Sequence, residues 1–123
     1  PEVADEDKDI KFFNAAEDED DSTIEIIFTE ALSSANVGLY AQDLIVKDDD
    51  GDELKAGIDF TTALKEGDAK VLVVTVNGVT DLDDYSVESV KTLKYIMDTV
   101  VGKDGKPDGN IAKAFDRVKF RAE

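Results

Sequence analysis

The chain has 123 residues, and its 30 acidic against 14 basic residues give a formal charge of −16. That length supports a single domain with its own core, while the charge repels nucleic-acid phosphates and anionic lipid headgroups. Cysteine, histidine and tryptophan are absent, which removes disulfides, thiolate metal sites, Ser-His-Asp triads and the usual zinc sites, and argues against an enzyme.

No apolar run reaches about eighteen residues, so no membrane span is expected. The chain opens at Pro1, as a processed, trimmed or excised module would, and Pro1 to Asp9 is charged enough to be mobile or extended. Ile10 to Asn14 (IKFFN) predicts a first strand, and Glu17 to Ser22 a charged turn. A mobile start followed by Ile10 to Phe13 would permit exchange of that strand between subunits. Thr23 to Thr29 (TIEIIFT) is the clearest strand, because Ile24, Ile26 and Phe28 share one parity among β-branched neighbours. Ala31 to Tyr40 reads as a longer connection and Asp43 to Lys47 (DLIVK) as a strand. Asp48 to Asp52 then supplies turn residues.

Ile58 to Thr62 (IDFTT) predicts a short strand, with a turn over Lys65 to Asp68. Val71 to Val76 (VLVVTV) is apolar on both parities, which predicts a central strand covered on both faces. Asn77 to Asp81 closes it, and Phe115 to Arg121 alternates again with Val118 and Phe120 facing in. Between these, Ser86 to Gly102 has Val87, Val90, Leu93, Met97 and Val100 at intervals of three and four. That spacing predicts a helix, capped by Ser86 and Gly102 and lying on the domain's own core or facing a neighbour. Six or seven short strands separated by turns predict one all-β domain over residues 1–123, an antiparallel sandwich with a helical insertion near residues 86–102. Phe12, Phe28, Phe60 and Phe120 are assigned to its core.

Oxygen-rich loops are the candidate sites, since hard cations such as Ca²⁺ take six to eight oxygens. Asp48, Asp49, Asp50 and Asp52 share one tight turn, Asp81, Asp83 and Asp84 form a second cluster, and Asp104, Asp108 and Asn110 a third. The first lacks the spacing of an EF-hand loop, and no glycine-rich phosphate loop occurs. Acidic side chains are so plentiful that no carboxylate pair stands out for catalysis.

Ile24 to Leu32 (IEIIFTEAL) resembles the "F-[S/T]-E-A-[V/L]" strand of the bacterial immunoglobulin-like domains found in surface-layer proteins and adhesins. Val73 to Leu82 (VVTVNGVTDL) is similar to their "YTVTVSGVTDL" strand and turn, and Asp43 to Leu54 (DLIVKDDDGDEL) to their "ITVKDADGNEV" hairpin. Pro1 matches the proline that opens many such repeats. Where the family often continues with "DxxGN", this chain has Asp83-Asp84-Tyr85, and a Gly-Asn pair comes only at Gly109-Asn110. The resemblance implies an immunoglobulin-like sandwich at the extracellular cell surface, non-catalytic and structural, with Ca²⁺ bound at loops. It implies neighbouring immunoglobulin-like domains or copies of itself as partners. The alternatives are an adhesive module that binds a carbohydrate, cell-wall or protein ligand, and a phage decoration or filament subunit.

Overall fold

The computed structural model describes residues 1–99 and 110–120. A single helical turn, α1 (Glu6–Asp9), leads into β1 (Ile10–Phe13) and β2 (Ser22–Ile27). A 3-10 helix (Val37–Asp43) precedes β3 (Leu44–Lys47), β4 (Phe60–Lys65), β5 (Asp68–Val76), β6 (Ser86–Ser89) and β7 (Val118–Lys119). Among the described residues these strands all pair antiparallel. One sheet runs β1-β2-β5-β4 and the other β3-β6-β7. Labelled A to G in chain order, these are the ABED and CFG sheets of the seven-stranded immunoglobulin sandwich.

Alternation makes the core. In the first sheet Ile24 pairs with Val74 and Ile26 with Leu72, and all four are buried. Their odd-numbered neighbours Thr23, Glu25 and Val73 point the other way. The second sheet contributes Leu44, Val46 and Val87 to the same interior. Phe12 of β1 stacks on Phe120 beyond β7 with ring centroids 5.2 Å apart, joining the two sheets at one side. Phe28 and Phe60 are buried in the core, as expected, while Phe12 and Phe120 lie half-buried against it. Gly67 turns the β4–β5 hairpin with φ of 81°, a backbone conformation that an L side chain resists.

Two expectations are corrected. No helix forms over residues 86–99: Ser86–Ser89 is β6, inserted between β3 and β7, and residues 100–102 lie outside the described part. Lys94, Tyr95 and Ile96 donate their backbone N–H groups to the Asp43 carboxylate at 2.7–2.9 Å, so these donors do not form helical bonds. Ile58 stays outside the sheet and is 69% exposed. Gly57 (φ 80°) closes a turn there by donating its N–H to the Phe60 carbonyl, and the strand begins after it. At the start of the chain Val3 is buried, and the Glu2 carbonyl accepts from Thr29 N–H. The Pro1 carbonyl likewise accepts from Lys113 N–H.

Candidate metal centre

Strand direction sorts the connections to opposite ends. Residues 14–21, 48–59 and 77–85 leave the same end of the sandwich, and hydrogen bonds stitch them together. Gly78 N–H donates to Asp21 Oδ1 at 2.8 Å, and Leu82 N–H donates to Asn14 Oδ1 at 2.8 Å. Asn77 donates its side-chain amide to the Ile58 carbonyl at 2.9 Å. These three stretches hold fourteen of the thirty acidic residues but only Lys55 of the fourteen basic ones. The charge is therefore concentrated at one end.

Within that end, Asp48 organises the tightest loop. Its Oδ1 accepts from the N–H groups of Asp50 at 2.9 Å and Asp52 at 3.0 Å, and Gly51 N–H donates back to its carbonyl. Gly51 supplies the positive φ (84°) that the loop needs. The outcome is an acidic triad: Asp48, Asp50 and Asp52 each offer a carboxylate oxygen, and these oxygens all lie within 4.8 Å of one another. A single cation can bridge groups so spaced. Asp48 is half-buried while Asp50 and Asp52 are exposed, so water can supply the further oxygens a hard cation requires.

The second cluster borders the first. Asp81 Oδ1 accepts from Asp83 N–H at 2.9 Å. Asp84, the non-glycine residue with positive φ (66°) among those described, sits 3.7 Å from Lys119 Nζ. Tyr85 reports the proximity: burial pushes its hydroxyl pKa up, and the charges of Asp49, Asp48, Asp50 and Asp81 push it further. Of the third cluster, Asp104 and Asp108 lie outside the described residues. Asn110 is at the opposite end, donating its backbone and side-chain N–H groups to the two Asp98 oxygens at 2.9 and 3.1 Å. The structure thus brings the Asp48 and Asp81 groups together and leaves Asn110 apart.

Asp43 and Asp98 were not among the sequence candidates. Asp43 was read as a strand opening, yet it is 1% exposed and its three donors lie 51 to 53 residues further along the chain. Nothing local to Asp43 marks it. Nearby, the buried Tyr40 hydroxyl donates to the Ser33 carbonyl, and burial raises its pKa. No buried side-chain oxygen or nitrogen among the described residues lacks a partner. The chain matches no known family, no curated protein and no solved structure.

Proposed function

We propose that this chain is a non-catalytic immunoglobulin-like module of a bacterial cell-surface protein of the surface-layer type, one bead or subunit in an extracellular assembly. Neighbouring modules or copies of itself are its partners, and Ca²⁺ at the Asp48–Asp50–Asp52 loop stabilises the end it presents to them. The observation that carries the reading is the charge segregation: carboxylates gather at one end of a sandwich built without disulfides. Carboxylates crowded in this way repel, so a divalent cation both relieves that end and bridges it to another acidic surface. The sheets also end on edge strands such as β1 and β7, whose outward backbone groups offer further contact. Electron microscopy of the protein with and without Ca²⁺ tests the reading. Ordered polymers or sheets that disperse on chelation are expected; dispersed monomers under every condition would remove it in favour of a recognition module.

A further inference from the structure

Asn77 is one of four asparagines in the chain and the only one followed by glycine: Ala15, Val37 and Ile111 follow the others. A glycine in that place leaves the next backbone nitrogen unshielded by a side chain, so the nitrogen can attack the asparagine's own amide. Asn77 and Gly78 are both exposed, in the turn that follows β5. No atom lies within 4 Å of where a Cβ on Gly78 would sit, so water reaches the pair. The reacting groups are nevertheless tied down. The Gly78 N–H donates to Asp21 Oδ1 at 2.8 Å. Asn77 donates its side-chain amide to the Ile58 carbonyl and its backbone N–H to the Asp59 carbonyl, both at 2.9 Å. The nucleophile is thus held by one acidic connection and the electrophile by another.

We propose that Asn77 is a deamidation site whose rate is set by those bonds, with Asp21 as the positioning residue that holds it back. In the reaction the Gly78 nitrogen gives its proton to hydroxide and bonds to Asn77 Cγ. The Cγ–Nδ2 bond breaks, and ammonia leaves with a proton drawn from water, which restores the hydroxide. Water then opens the resulting succinimide at either carbonyl, leaving an aspartyl or an isoaspartyl residue at position 77. The balance is amide plus water to acid plus ammonia, and nothing is oxidised or reduced. Ring closure needs the Gly78 nitrogen to shed the proton it donates to Asp21, and the carboxylate opposes the negative charge that then forms. It also needs the Asn77 side chain free to turn, against its anchorage at Ile58 and Asp59. The site therefore reacts from conformations in which residues 14–21 have come away from the β5 turn, as exposed loops do locally without global unfolding. The product favours that opening. It loses the donor to the Ile58 carbonyl and adds a carboxylate to an end that already holds fourteen acidic residues. None of this depends on the triad taking a cation.

Peptide mapping of the full chain, aged at mildly alkaline pH, tests the proposal by following the acid and isoaspartyl forms at position 77. In urea strong enough to unfold the chain, Asn77 should react first among the four asparagines, and at least roughly tenfold faster than in the folded chain. Asp21→Ala should accelerate the folded chain roughly fivefold, the weight of one exposed hydrogen bond to a charged group. Asp18→Ala, which removes a like charge from the same connection, should stay within about twofold of the native rate. Asp21→Asn keeps an acceptor oxygen and should fall between. Hydrogen exchange at the native Gly78 amide should be slowed relative to the unfolded chain, a readout that needs no variant to fold. A folded chain that reacts as fast as the unfolded one, or an unprotected Gly78 amide, overturns the proposal. So does an Asp21→Ala chain no faster than Asp18→Ala, and a slower one would make Asp21 the base that draws the proton. Equal reactivity of the four asparagines in urea would remove the site itself.

Discussion

At the end where residues 14–21, 48–59 and 77–85 meet, carboxylates crowd towards water; at the other, Asp43 and Asp98 carry theirs into the interior. The side chain is the same, but its surroundings differ. Asp43 is buried because three backbone N–H groups converge on it and replace its hydration. Asp48 is held by two such groups, but Asp50 and Asp52 are left facing solvent and each other. One end has its carboxylates met by backbone donors, while at the other three carboxylates lie close enough together that a cation could bridge them. The comparison separates a carboxylate that organises the fold from one that can bind something.

The sharpest way to break this contrast is at Asp43. Asp43→Ala leaves three N–H groups without their acceptor and should cost about 3 kcal/mol, measured by urea unfolding. Asp43→Asn, which keeps one acceptor oxygen, should cost less. If both are nearly neutral, the carboxylate does not hold the 94–96 segment.

At the opposite end the sign should invert. In chelator at low ionic strength, Asp50→Asn and Asp52→Asn should raise the melting temperature slightly, because each removes a like charge from the triad. About 1 mM Ca²⁺ should stabilise the native chain by about 1 kcal/mol, or about 4 °C, and either variant should lose that gain. Thermal melting that ignores both Ca²⁺ and chelator would leave the triad a solvated turn.

The smallest effect concerns Tyr85. Burial first, and the neighbouring Asp49, Asp48, Asp50 and Asp81 charges next, make its folded form hold the proton more tightly than the unfolded chain does. Its contribution is therefore fully present below the ordinary tyrosine pKa and is lost as pH rises through the folded value. Tyr85→Phe should lose less stability than the native chain above about pH 10, by under about 1 kcal/mol given partial solvent screening. Equal pH profiles would show that the acidic loops do not act on it.

The strands were legible in proportion to how much of their character was local. Ile24, Ile26 and Phe28 alternate among β-branched residues, and β2 forms there. The Asp48–Asp52 turn could be read from its aspartates and Gly51, and so could the triad it builds. The stretch after Ser86 misled because Val87, Leu93 and Met97 also satisfy a helical stripe. Val87 faces the core from β6, Leu93 and Ile96 pack into it, and Met97 bridges Ile111. The donors that would have made a helix were claimed by Asp43, some fifty residues earlier in the chain. Local spacing carries no sign of such a partner.

By itself, the sequence determined an all-β sandwich, a carboxylate-laden surface and the position of one acidic turn, because alternation and turn chemistry act between near neighbours. Only the tertiary structure decided that three acidic connections share one end and that two aspartates are interior. Those outcomes depend on which strands pair and in which direction they run, and pairing joins residues whose separation along the chain leaves no local trace.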